Sequence, residues 1–165
     1  MDLKNNKEKI LIVGPSWIGD MVMSQSLYSL LKANLADSEL HVLAPKWSNQ
    51  IIDRIPEVDK VIEQPVGHGE LKLGIRRGEA KSLKKEGYTR AIIIPTSFKS
   101  ALIPFFADIP IRTGFLGEFR YGLINDICMA DDSLPDRTIN QYITLGQKTL
   151  DTKNKGFENP RLRVD

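Results

Sequence analysis

Asp20 closes a turn, Gly14-Pro15-Ser16-Trp17-Ile18-Gly19-Asp20, that joins an apolar run to an amphipathic stretch, and it is the residue best placed to do chemistry. A carboxylate held ionised at the carboxyl end of a central strand faces the crevice where open α/β sheets bind ligands. There it can take a proton from a substrate hydroxyl as general base. The turn alone also admits a structural role, since an acidic residue in a first helical turn caps it or complements the positive end of its dipole. Phosphate binding at this turn is argued against. A dinucleotide fingerprint needs glycines spaced Gly-x-Gly-x-x-Gly so that the backbone can approach a pyrophosphate. Only Gly14 and Gly19 are present here, and Pro15 and Trp17 stand where backbone access would be needed.

Further candidates follow other predicted strands. His68 stands between Gly67 and Gly69 in a loop rich in proline and glycine, where it either presents an imidazole to a ligand or serves only the turn. The Arg76-Arg77 pair lies close to that loop, and guanidinium forks suit carboxylates and phosphates. Most of the charge around it reads as a solvated helix face. Ser97 is placed to cap the helix that follows the fourth strand. Lys99 then falls in the first turn, against the preference of a helix dipole, which points to function. Arg120, between Phe119 and Tyr121, either reaches an anionic ligand or stacks on a ring. His41 alternates with apolar neighbours and reads as a strand-face residue, and Cys128 reads as a buried structural thiol.

The elements that must position these residues alternate. Lys9 to Val13 and Ala91 to Pro95 are continuously apolar, as strands buried on both faces are. Glu39 to Ala44, Val58 to Ile62 and Ile111 to Gly114 read as three more strands. Helices are predicted from Met21 to Leu35, where Leu27, Tyr28, Leu31 and Leu35 share a face, and over Trp47 to Ile55, Leu71 to Glu86, Ala101 to Ala107 and Thr138 to Leu150. Phe115 to Gly122 reads as an ordered surface loop, and Arg161 to Val164 as the start of a linker or another strand. Strand and helix in alternation imply a Rossmann-like α/β fold: an open, mostly parallel sheet with helices on both faces and right-handed crossovers. Asp20, His68, Lys99 and Arg120 should then gather along its carboxyl edge.

Length and composition bound the rest. A chain of 165 residues makes one domain, burying about 70% of its unfolded surface, with no room for a second. The net charge of +2 calls for no nucleic-acid partner. A single cysteine allows no internal disulfide and carries no metal-ligand spacing, which fits a reducing, cytoplasmic setting. Met1 to Glu8 are polar and charged, with no apolar core of signal-peptide length before Ile10, and no apolar run approaches the ~20 residues of a membrane span. Any membrane contact is therefore expected to be peripheral.

Four strings go further than composition does. Lys9 to Met21 (KILIVGPSWIGDM), Pro65 to Leu71 (PVGHGEL), Pro95 to Leu102 (PTSFKSAL) and Arg112 to Leu123 (RTGFLGEFRYGL) resemble, in the same order, the N-terminal half of the lipopolysaccharide heptosyltransferases of glycosyltransferase family 9. The resemblance implies an inverting, metal-independent enzyme of the two-domain GT-B kind, without a cofactor. Such an enzyme moves L-glycero-D-manno-heptose from ADP-heptose onto the first heptose of the lipopolysaccharide inner core. The N-terminal domain holds the acceptor and the C-terminal domain the nucleotide sugar. Asp20 matches the family's proposed catalytic base, which favours the catalytic reading over the capping one. Lys99, Arg120, Arg76, Arg77, His68 and Ser97 would then face the acceptor, and Ser16 and Gly19 the donor. Family members are about twice this length, so ADP-heptose is expected to bind through a half that these 165 residues do not include, and the chain by itself is expected to transfer nothing. Two other readings stand beside this one: a catalytically idle binding module for an anionic glycolipid or sugar phosphate, and a flavodoxin-like nucleotide-binding domain, against which the missing glycine fingerprint argues.

Overall fold

The computed structural model describes residues 7–67, 69–133, 138–152 and 159–162. Six strands form one sheet: β1 (Lys9–Val13), β2 (Glu39–Ala44), β3 (Lys60–Glu63), β4 (Arg90–Ile93), β5 (Ile111–Phe115) and β6 (Asp126–Cys128), in the order β3-β2-β1-β4-β5-β6. Every pairing is parallel, so each connection must cross over the sheet. The helices α1 (Ile18–Met23), α2 (Gln25–Asn34), α3 (Asn49–Ile52), α4 (Leu73–Lys84), α5 (Leu102–Phe106) and α6 (Thr138–Leu150) supply those crossovers or flank the sheet.

Strand alternation divides the core in two. Ile10 and Ile12 of β1 point to a cluster with Met21, Leu27, Tyr28, Ile52, Tyr142 and Leu145, drawn from α1, α2, α3 and α6. Leu11 and Val13 point the other way, to Ala80 and Leu83 of α4 and Ile103 of α5. This is why β1 and β4 carry unbroken apolar runs, whereas β3 at the sheet edge is only half-buried. On the first face α6 lies directly against α2. Gly146 permits this, because a Cβ there would sit 2.6 Å from Leu30 Cδ2.

Several elements differ from the sequence reading. The helix expected from Met21 to Leu35 starts earlier and is divided at Ser24, whose hydroxyl donates to the Met21 carbonyl at 2.6 Å and lies 2.9 Å from the Tyr28 hydroxyl. Such back-bonding offers the chain an alternative to helical continuity. The helix expected at Ala101 begins as a 3-10 turn at Phe98 and becomes α-helical only at Leu102. β6 was not predicted. It is three residues long, held by β5 and by a hydrogen bond from Thr113 Oγ1 to Asp126 at 2.7 Å, a contact between residues far apart in local pattern. Arg161 and Leu162 form no strand. The buried Gln25 side chain grips the Arg161 backbone instead, accepting from its N–H at 2.6 Å and donating to its carbonyl at 2.9 Å. Val164 lies outside the described residues.

His41 is a strand-face residue as expected, buried in β2 with Nδ1 at 2.8 Å from the Tyr88 hydroxyl. Burial, helped by Lys9 and Lys60, lowers its pKa below the ordinary value of 6.5. The unfolded chain therefore takes up this proton first, so the stability that neutral His41 secures is complete above about pH 6.5 and is lost as pH falls toward and through the lower folded value. Thermal melts across that window should show His41→Gln with a flatter acid slope than the native chain. Glu39 and Glu86, held below the usual carboxylate range chiefly by their bonds to Lys7 and Lys9, add a separate slope at lower pH, lost as they protonate.

Candidate active site

Strand order reverses between β1 and β4, and the crevice of an open parallel sheet lies at such a point, beyond the carboxyl ends of the strands. A cavity of about 910 Å³ opens there, floored by Gly14 and Pro15 after β1, Pro45 after β2 and Pro95 after β4. Asp20, Ser16, Ser97, Lys99 and Arg76 all line it. The sequence-predicted residues therefore converge to a large extent. They come from the three strand-to-helix connections after β1, β3 and β4, and a parallel sheet delivers all of these to one edge.

Asp20 is half-buried in the first turn of α1. Its backbone carbonyl accepts from the Ser24 N–H at 2.9 Å. No side-chain cap is made at the start of that helix, and the Asp20 carboxylate has no hydrogen-bond or ion-pair partner among the described residues. The capping hydrogen bond that the turn admitted is thus not made, although the carboxylate still lies at the positive end of a helix dipole. An unengaged carboxylate on a cavity wall is free to accept a proton. Ser16 precedes it on the wall. Gly19, on the outer side of the same turn, is exposed, with nothing within 4 Å of where a Cβ would stand, and does not line the cavity.

Two cations that line the cavity bind protein first. Lys99 Nζ donates to the Gly69 carbonyl at 2.7 Å. The buried Arg76 donates from Nε to the Leu71 carbonyl at 2.6 Å, from Nη2 to that of Glu70 at 2.8 Å and from Nη1 to that of Lys99 at 3.3 Å. Together they staple the loop around Gly69 to the turn that carries Ser97. His68 lies outside the described residues, between two glycines of which both line the cavity.

Arg77 and Arg120 are corrections. Adjacent residues on a helix point about 100° apart, so Arg77 faces away from its neighbour, stacked over Phe106 at 5.0 Å and outside the cavity. Arg120 is wholly buried and does not line the cavity either. It donates from Nη1 to the carbonyls of Pro95 at 2.7 Å and Ser97 at 3.1 Å and to Ser100 Oγ at 3.0 Å. Nε and Nη2 reach the Phe115 carbonyl at 3.1 and 2.5 Å. Burial pushes its pKa down to about 10, which leaves it cationic at neutral pH. Neither an anionic ligand nor an aromatic ring takes this guanidinium; the loop carbonyls do. Ser97 occupies the N-cap position expected of it but makes no side-chain cap bond. Glu118 accepts from the Phe98 N–H instead, at 3.0 Å, because the Phe115–Arg120 loop folds onto Thr96. Gly117 makes that approach possible: a Cβ there would lie 2.0 Å from the Thr96 carbonyl oxygen.

The sequence reading missed Thr138, Gln141 and Tyr142 of α6, and Lys46 and Trp47 after β2, all on the cavity wall. A helix more than a hundred residues beyond Asp20 carries no local sign that it closes the same site. Burial raises the Tyr142 pKa above the usual phenol value, with Asp20 and Tyr28 adding to the shift. Burial likewise pushes the Cys128 thiol up to about 11, in keeping with an inert structural cysteine. Among the described residues no group of three His, Cys, Asp or Glu is arranged to hold a metal, and no helix is long and apolar enough to cross a membrane.

This arrangement has counterparts. The chain is 50% identical over 137 residues to lipopolysaccharide heptosyltransferase 2 of Salmonella typhimurium, a match covering 83% of this chain and 39% of that protein. It superposes on the structure of the Escherichia coli ADP-heptose lps heptosyltransferase II with a TM-score of 0.83 and 41% identity, over 95% of this chain and 47% of that one. A glycosyltransferase family 9 structure from Veillonella parvula has the same fold at a TM-score of 0.81 with 13% identity, covering 99% of this chain and 47% of that one. The chain thus spans less than half the length of the relatives it matches. The family model for glycosyltransferase family 9 (heptosyltransferase) matches residues 76–164. A Rossmann-like half with an unengaged carboxylate at its switch-point crevice, and these relatives, make this chain a member of glycosyltransferase family 9, the heptosyltransferase family.

Proposed function

We propose that this chain forms the acceptor-holding half of an inverting heptosyltransferase that moves L-glycero-D-manno-heptose from ADP-heptose to the first heptose of the lipopolysaccharide inner core. The observation that carries the reading is the Asp20 carboxylate, unengaged on the wall of the switch-point cavity in a chain of this family. Asp20 takes the proton of the acceptor hydroxyl as its oxygen bonds to the anomeric carbon, while the bond from that carbon to the ADP oxygen breaks and ADP departs with the electron pair. Because attack comes from the face opposite the leaving group, the configuration inverts. Most of the rate comes from holding the hydroxyl against the anomeric carbon, a positioning task suited to a cavity built from several strand ends. Lys99 and Arg76, with N–H groups left over from their loop contacts, meet acidic groups of the acceptor core.

The departing diphosphate needs cationic or backbone stabilisation, which the turn before Asp20 is poorly made to give. The nucleotide sugar is accordingly assigned to the other half of the GT-B arrangement, with Ser16 facing it. The 165 residues expressed alone are expected to bind acceptor without turnover. Contact with the cytoplasmic face of a membrane, if made, is peripheral and salt-screened; sedimentation with anionic vesicles that resists salt would count against it.

Isothermal titration tests the assignment. The chain should take up a water-soluble inner-core acceptor bearing its first heptose and should ignore ADP-heptose. Uptake of ADP-heptose without acceptor would overturn the proposal and return the nucleotide site to this domain.

A further inference from the structure

Two polar groups that line the cavity lack protein partners among the described residues, and they belong to two helices packed against each other. One is the Asp20 carboxylate on α1. The other is the phenol of Tyr142 on α6, a side chain only 4% exposed whose oxygen has no hydrogen-bond partner among the described residues. A phenol oxygen on a cavity wall with no protein partner is left to bond water or a ligand. The described side-chain atoms that are both buried and unpaired are Ser26 Oγ and Asn49 Oδ1. The Tyr142 oxygen is not among them, and Tyr142 lines the cavity. Helix α1 packs against α6, and the Tyr142 ring belongs to the same core cluster as Met21 and Tyr28, which holds the phenol near Asp20 without a direct bond between them.

We propose that Tyr142 is a positioning residue: its hydroxyl donates a hydrogen bond to the acceptor hydroxyl that Asp20 deprotonates. This rests on the acceptor-half reading above. A sugar hydroxyl has one proton and two lone pairs. Seated against both side chains, it gives its proton to Asp20, accepts from Tyr142 on one lone pair and attacks the anomeric carbon with the other. The division of roles is chemical. Burial beside a carboxylate keeps the phenol protonated at neutral pH, so it serves as donor and never as base.

The test is a double-mutant cycle between protein and ligand, read by titration calorimetry. The native chain and Tyr142→Phe are each titrated with the soluble acceptor and with its analogue lacking the hydroxyl that receives heptose. Phe keeps the ring in the core, so the melting temperature should be unchanged. Tyr142→Phe should bind the acceptor about fivefold more weakly, the native chain should lose a similar factor on the deoxy analogue, and the variant with the analogue should lose little more. A role confined to packing predicts independent losses that multiply, and that outcome overturns the assignment, as does unchanged binding by Tyr142→Phe. The deoxy analogue on the native chain needs no variant; full affinity there also refutes the contact. If the native chain shows no affinity for the acceptor, the acceptor-half reading falls, and this assignment with it.

Discussion

Asp20→Asn is expected to abolish heptose transfer almost completely while sparing acceptor binding. General bases contribute roughly 10²- to 10⁴-fold to rate. The amide keeps the shape of the carboxylate but cannot accept the proton, so kcat should fall by about 10³-fold. Acceptor affinity should stay within about twofold, since the side chain holds no loop in place and makes no contact that its loss would disturb. The measurement needs a nucleotide-sugar half, which a chimera provides: this chain replacing the matching part of the Escherichia coli relative, whose backbone it follows closely. Loss of helix-dipole complementarity should cost about 0.3–1 kcal/mol, too little to unfold the domain. If Asp20→Asn left kcat intact in an active chimera, the carboxylate would be a dipole-complementing residue and the base would have to be sought elsewhere. A chimera without activity, in which Asp20→Ala leaves acceptor affinity unchanged, would instead favour the idle binding module.

Arg120→Met should be the most destabilising of the substitutions considered, although Arg120 does not itself line the cavity. Its guanidinium satisfies the carbonyls of Pro95, Ser97 and Phe115 and the Ser100 hydroxyl from a fully buried position. Removing it strands these acceptors, each at about 1–3 kcal/mol before relaxation, and the sum is not additive. A loss of about 4 kcal/mol is expected, lowering the melting temperature by about 8–16 °C in a domain of this size. Arg120→Lys should recover only part of this, because one ammonium cannot reproduce a planar fork that bonds several carbonyls. Acceptor affinity should fall as well, because the Pro95–Ser100 turn that Arg120 secures carries Ser97 and Lys99. Chemical denaturation and calorimetric titration of one preparation separate the two effects. A variant with native stability but weakened acceptor binding would contradict the buried, structural placement and restore Arg120 as a direct ligand.

The contrast between Asp20 and Arg120 marks where the sequence was legible. Both were chosen because they follow strands, and both do follow strands at the same sheet edge. Strand position is encoded locally, in runs such as Lys9 to Val13, because a strand buried on two faces must be apolar throughout. Which way a loop side chain turns is not. Arg120 turns inward because Gly117 lets its loop close on Thr96, which brings carbonyls of the β4 connection within reach of the guanidinium. Flanking Phe119 and Tyr121 suggested an exposed, ligand-facing arginine, but both lie out in solvent while the arginine between them is buried.

By itself, the sequence determined the alternation of strands and helices, the parallel sheet, the edge at which a site must form and the carboxylate that could act there. Each of these follows from periodicity and turn chemistry within a few residues. Tertiary structure alone decided which polar residues face the cavity and which are spent on holding loops. It separated Arg76 from Arg77 by the angular step of a helix, and it brought Asp20 and Tyr142, more than a hundred residues apart in the chain, to the same cavity. That convergence depends on the packing of α6 against α1 and α2, where Gly146 admits Leu30. Contacts between distant segments leave no local period to read, because they are set by which surfaces meet once the sheet has formed.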